Sequence, residues 1–233
     1  MAKTTYNNKN YGNFDINSTM FYGFDLDEYQ KQYRDYIWDK DHIVVICEAK
    51  AGTGKTQIAV ATANLLVQTG RYDKIIFVTF PCNEEKQGLL PGTLEEKSAP
   101  YFEPLRQALV KCNVDPEQVF DTNFDALKKG TAYIHPVTHT YLRGVNFENA
   151  VVILEECQNG YVDEIRKVLT RCAENCKVIL IGNDRQCDLL KNKANSGFAK
   201  YREFFAEHGE GKVAFCKLEK NYRGWLANLA DEI

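Results

Sequence analysis

The 233-residue chain carries 29 Lys and Arg against 32 Asp and Glu, a net charge of −3, and is 44% hydrophobic and 26% charged. This is the composition of a globular domain with a sizeable core; it offers no chain-wide positive field for nucleic acid, so only a local basic channel remains open. No apolar run reaches the roughly eighteen residues of a bilayer span, and the opening stretch Met1 to Lys9 lacks the apolar centre of a signal peptide; a cytoplasmic setting without membrane contact is expected, with the eight cysteines serving as reduced core thiols.

Residues 1–23, rich in Asn, Tyr, Gly and Ser without periodicity, read as a mobile arm, and 24–233 as one domain. A helix is predicted from Asp27, with Tyr29, Tyr33, Tyr36 and Ile37 at helical spacing. The apolar run Ile43–Cys47 reads as the first strand, followed by the turn Ala49 to Thr56. In the next helix Ile58, Ala59, Ala61, Thr62, Leu65 and Leu66 are expected to face inward, and Gly70 to terminate it. Lys74–Thr79 is a second buried strand. The irregular stretch from Pro81 to Pro100 reads as a functional loop. Helical patterns follow at 101–112 and 116–128, short strands at Ala132–Ile134, Ala150–Leu154, Lys177–Ile181 and Val213–Lys217, and a last helix at Trp225–Ile233. Apolar strands alternating with helices predict an α/β fold, a mostly parallel sheet with helices on both faces.

The sequence Ala49-Lys-Ala-Gly-Thr-Gly-Lys55-Thr56 between a strand and a helix has the form of a phosphate-binding P-loop. Backbone N–H groups of Ala51, Gly52, Thr53 and Gly54 would wrap anionic oxygens, Lys55 would meet the terminal phosphates, and the Thr56 hydroxyl would ligand Mg²⁺. Ala49 replaces the usual first glycine. The chain is therefore expected to bind a nucleoside triphosphate.

Val151–Leu154 runs into Glu155 and Glu156. A strand ending in paired acids is what such a site requires: Glu155 to hold Mg²⁺, usually through water, and Glu156 to polarise the attacking water. Gln186, after the strand at 177–181, is placed either to sense the terminal phosphate or simply to form a polar turn. Arg223 is read equally well as an arginine finger or as half of a surface ion pair. His135 and His139 are read as structural, because Pro136 interrupts any helical face between them. The cysteines lack the paired spacing of a zinc site.

Taken together, Ala51–Thr56, Gly88-Leu-Leu-Pro-Gly92 with Glu96-Lys97 and Pro100-Tyr101, Tyr141-Leu-Arg143-Gly144, Val152–Asn159, Leu169-Thr-Arg171, and Gln186-Cys-Asp-Leu189 with Ser196-Gly197 form a familiar set. The chain resembles the PhoH family of P-loop ATPases, in a short form of the kind found in phages and related bacterial genomes. The resemblance implies a single RecA-like P-loop NTPase domain, akin to the first such domain of superfamily-one helicases. It implies ATP and Mg²⁺ as ligands, Gln30 as the residue that reads adenine, and Arg223 against the γ-phosphate. The resemblance further implies ring formation and action on RNA, as in some members. Because a single RecA-like domain has no second domain to close against the nucleotide, a homo-oligomer is expected, with Arg143 or Arg171 contributing in trans or to nucleic acid. Glu155 stands where related sequences usually carry Asp, and Asn183 where many have Asp, so ATP binding is a firmer expectation than brisk turnover. A nucleic-acid-directed ATPase leads this reading. A nucleotide-timed module that docks a protein partner stands second, and a small-molecule kinase is a distant third.

Overall fold

The computed structural model describes residues 15–17, 21–81, 99–142, 144–183, 187 and 196–230. Six short runs rich in Val, Ile and Leu form the strands β1 (Val44–Ala49), β2 (Lys74–Thr79), β3 (Ile134–Thr138), β4 (Ala150–Glu155), β5 (Lys177–Gly182) and β6 (Val213–Leu218). They make one sheet in the order β3-β2-β4-β5-β1-β6, and every neighbouring pair is parallel. Parallel strands need crossovers, and these bring helices onto both faces. The expected architecture is the one observed.

Strand alternation divides the core in two. Val45, Cys47, Ile75, Phe77, Val151, Ile153, Ile179 and Ile181 face helices α1 (Glu28–Trp38), α2 (Lys55–Gln68) and α3 (Glu103–Lys111). The intervening Ile46, Ile76, Val78, Val152, Leu154, Val178 and Leu180 face α6 (Val162–Leu169) and α7 (Gly197–His208). Between these lie two short helices, α4 (Pro116–Val119) and α5 (Phe124–Lys129), and α8 (Trp225–Ala230) closes the described chain. All strands point their C-terminal ends to one edge, where Thr79 pairs with Glu155, Cys47 with Ile181 and Ala49 with Leu218.

Helix α1 is fixed at both ends. Asp27 caps its start in a capping box with Gln30. At its far end the buried Lys177 ammonium donates to the carbonyls of Tyr36, Asp39 and His42, satisfying groups that a helix end leaves open. Burial pulls this lysine down to about 8, with Arg71 acting in the same direction.

Several expectations need correction. The strand placed at Ala132–Ile134 begins where that span ends, at Ile134, and runs through Pro136 to Thr138. Proline is tolerated because β3 is an edge strand. The helix expected over 116–128 is two helices, since Phe120 bridges to Ile134 and Asn123 caps a fresh start by accepting from Asp125 and Ala126. Leu65 is only half-buried. Helices α6 and α7 were not anticipated. Ile16 and Phe21, assigned to the mobile arm, are buried in the core beside α1 and α2; the Tyr22 hydroxyl also accepts from Asn64 at 2.8 Å. Most of the expected loop between Pro81 and Pro100 lies outside the described residues.

Candidate nucleotide-binding site

Ala49 is the last residue of β1 and needs no glycine, because its backbone is still extended and paired with Leu218. The turn proper uses Gly52 at φ 75° and Gly54 at φ 82°, the left-handed region that a side chain disfavours. Thr53 is buried and its hydroxyl donates to the Lys50 carbonyl at 3.0 Å. Gly54 then starts α2 with no side chain capping the helix, which leaves the first-turn N–H groups for an anion. The predicted cradle of residues 51–56 is thus assembled as a strand, a left-handed turn and an uncapped helix start.

Across 99 residues of chain, the Thr56 hydroxyl donates to Glu155 Oε1 at 2.7 Å. Glu155 is 3% exposed, and its other oxygen has no hydrogen-bond partner among the described residues. Burial pushes this carboxyl up to about 7; Lys55 opposes the shift, Glu156 adds to it and the Thr56 bond opposes it. Glu156 sits at φ 56°, ψ 41°, a left-handed backbone for a non-glycine residue. This turn lifts its carboxylate out of the sheet towards Lys55 Nζ, 3.5 Å away. Gln158 holds the second Glu156 oxygen through its amide nitrogen, and its amide oxygen accepts from the Asn183 N–H at 3.0 Å. One buried glutamine therefore ties the end of β5 to the candidate base.

On the other side, Gln30 Nε2 donates to the Thr53 carbonyl at 2.8 Å while its Oε1 accepts from the Asp27 N–H at 3.1 Å. A cleft of about 660 Å³ opens beside it, lined by Asp27, Gln30, Thr53 and Leu218 among others. The chain leaving β6 lies against the P-loop. Tyr222 N–H donates to the Gly52 carbonyl at 2.9 Å, and a Cβ on Gly52 would stand 2.2 Å from Asn221 Oδ1 and 2.7 Å from Arg223 Cγ. Arg223 is thereby brought onto the loop.

The structure gathers Gln30, Ala51–Thr56, Glu155, Glu156 and Arg223 into one site. Gln186 and Arg143 lie outside the described residues. Arg171 is at the opposite edge of the sheet, where its side chain donates to the Val145 carbonyl at 3.0 Å and its own carbonyl accepts from Phe147. His135 pairs with Asp121 at 2.7 Å and His139 with Glu164 at 3.1 Å. Sequence reasoning missed Gln158, Asn221 and Tyr222 as contacts, although each stands inside a stretch already singled out.

The family model described as PhoH-like protein matches residues 26–229. A PhoH-like protein of Synechocystis is 35% identical over 193 residues, covering 82% of this chain and 55% of that one. Protein PhoH of Escherichia coli K12 is 36% identical over 166 residues, covering 70% and 45% respectively. This chain spans about half the length of these relatives. Among solved structures, Pif1 of a Bacteroides species in complex with ADP-AlF4 aligns at TM-score 0.42 and 14% identity, over 89% of this chain and 45% of that one. The length and identity of the sequence matches, together with the P-loop and its paired acids, establish that this chain belongs to the PhoH-like family.

Proposed function

We propose that this chain is a Mg²⁺-dependent ATPase that couples hydrolysis to work on nucleic acid as a homo-oligomer, in a cytoplasmic setting, through a RecA-like core formed by residues 24–233. The observation that carries the reading is the Thr56–Glu155 bond with the second Glu155 oxygen buried and unpartnered. An oxygen-only donor pair with spare capacity suits a hard divalent cation. Thr56 and Glu155 would hold Mg²⁺, which when bound neutralises phosphate charge.

The turn N–H groups of residues 51–54 and the start of α2 bind the phosphate chain, and Lys55 exchanges its Glu156 partner for the terminal phosphates. Glu156 then accepts the proton of the attacking water as the water oxygen bonds to the γ-phosphorus and the bridging P–O bond breaks. Arg223 stabilises the charge that develops there, and Gln186 senses the terminal phosphate. Arg143 and Arg171 are assigned to contacts with a neighbouring copy or with nucleic acid. Gln30 has one N–H and one lone pair left after its bonds to Thr53 and Asp27. That pair matches the acceptor and donor of adenine; guanine presents two acceptors at the same edge.

The test is ATP turnover, with and without Mg²⁺, across a panel of single-stranded RNA and DNA, alongside the mass in solution. Stimulated turnover by an oligomer is expected. A monomer under ATP and Mg²⁺ counts against a motor, and absent turnover removes the ATPase reading. A second reading, a slow nucleotide timer that docks a protein partner, is favoured by the way Lys55 and Gln158 both occupy the Glu156 carboxylate; it expects turnover indifferent to nucleic acid.

A further inference from the structure

Two buried oxygens at the C-terminal edge of the sheet have no hydrogen-bond partner among the described residues: Glu155 Oε2 on β4 and Thr79 Oγ1 on β2. They are neighbours. Thr79 and Glu155 are register partners on adjacent parallel strands. Phe77 and Ile153, two residues earlier on each strand, both face the α2 side of the core, so strand alternation points Thr79 and Glu155 to that same side. Thr79 is 4% exposed and Glu155 3%.

The next residue in the row, Thr138 on β3, is register partner to Thr79 but has its hydroxyl engaged with Thr140 at 2.9 Å. On the other flank, Thr56 already serves Glu155 Oε1. Among the described residues the vacant capacity on the strands themselves is one hydroxyl and one carboxylate oxygen on neighbouring positions, and the buried Tyr33 hydroxyl of α1, on the same face of the sheet, is likewise without a partner. Buried polar atoms are almost always satisfied, and exceptions call for an explanation. A structural threonine in this position would do better as valine, which has the same shape without the desolvated hydroxyl.

We propose that Thr79 is a positioning residue of the nucleotide site: its hydroxyl and Glu155 Oε2 together hold a water of the divalent cation's hydration shell. Magnesium keeps several waters when bound through one or two carboxylates, and groups that hold such outer ligands commonly change metal affinity by about 10- to 100-fold. This also gives the longer Glu155 side chain a use, since its spare oxygen reaches a water shared with the neighbouring strand. The inference rests on the metal-dependent nucleotide site proposed above and adds to it a residue outside the P-loop and the acid pair.

The test uses the whole chain and the non-hydrolysable analogue AMP-PNP, titrated at a series of Mg²⁺ concentrations, with Thr79→Val, Thr79→Ser and the unaltered protein. Thr79→Val is expected to raise the Mg²⁺ concentration for half-maximal analogue binding by about 10-fold, and Thr79→Ser to remain within about 2-fold. The melting temperature of metal-free Thr79→Val should stay level or rise, because an unpaired buried hydroxyl has been removed. If the unaltered protein binds the analogue with Mg²⁺ and Thr79→Val shows the same Mg²⁺ requirement, the water-holding role is overturned while the nucleotide site stands. If Thr79→Ser fails as Thr79→Val does, the methyl packing matters instead and the role is again overturned. If the unaltered protein shows no Mg²⁺-dependent analogue binding, the site reading falls and takes this inference with it.

Discussion

The Tyr222 hydroxyl donates to Asp27 Oδ2 at 2.6 Å, while the other oxygen of the same carboxylate accepts from the Gln30 N–H at 2.8 Å. A single aspartate thus caps the helix that carries Gln30 and anchors the strap that carries Arg223. The bond is exposed, so its contribution to stability is small; its value is in geometry. Tyr222→Phe should change stability by less than about 1 kcal/mol yet raise the KM for ATP several-fold, as measured by paired urea unfolding and steady-state turnover. A loss of stability with unchanged kinetics would assign the bond to the fold alone.

Gln30→Ala removes the amide that faces the cleft and also releases the Thr53 carbonyl. ATP affinity should fall by about 1–3 kcal/mol, the range for discriminating polar contacts to a base edge, and preference over GTP should shrink to near unity. Competition binding with both nucleotides measures this directly.

Gly52→Ala places a methyl 2.2 Å from Asn221 Oδ1 at φ 75°. Left-handed strain alone costs about 1–3 kcal/mol, and the strap must move as well. Lower thermal stability, together with faster proteolysis near residues 221–223, is the expected result.

Lys55→Ala and Glu156→Gln separate binding from chemistry. Removing the Lys55 charge should weaken ATP binding by about 1.5–3 kcal/mol. Glu156→Gln should bind ATP with comparable affinity but lose roughly 10²–10⁴ in turnover. Retained turnover in Glu156→Gln would remove that residue as the base.

Lys177 gives a pH signature. Its folded pKa of about 8 lies below the ordinary lysine value of 10.5. Between these values the unfolded chain binds a proton that the folded chain has released, so stability should rise with pH across this window, by at most about 3 kcal/mol. Lys177→Met should abolish that slope, and at neutral pH lose about 1–3 kcal/mol by stranding the carbonyls at the end of α1. Urea unfolding of both proteins from pH 7.5 to 10.5 checks it.

The strands were legible because fully buried parallel strands are unbroken apolar runs; Lys74–Thr79 has the same ends in sequence and structure. The strand expected at Ala132–Ile134 stopped short of Pro136, whereas β3 runs through it, which only the sheet order explains by making β3 an edge. Helix α7 mixes Tyr201, Phe204 and Phe205 with Lys200, Arg202 and Glu203, and of its side chains only Phe198 is fully buried, so its periodic signal is weak. Helix α6 is short, and its Ile165 and Val168 spacing was present but unread. At the site, residues bound to a local motif could be named in advance. The contacts of Asn221 and Tyr222 could not, because they exist only once β6 lies beside β1 and delivers its exit chain onto the P-loop.

The sheet's two margins are chemically unequal. On β3, Pro136 keeps its place against Phe77 while offering no donor outward; on β6, the margin carries backbone groups beside Lys217. Head-to-tail growth through strand addition would have to join one margin to the other, and the proline spoils the receiving half of every such joint. The β3 margin is further occupied where Phe120 bridges to Ile134, so it is a poor template for a second copy's strand, and β6 is left as the margin better suited to pairing.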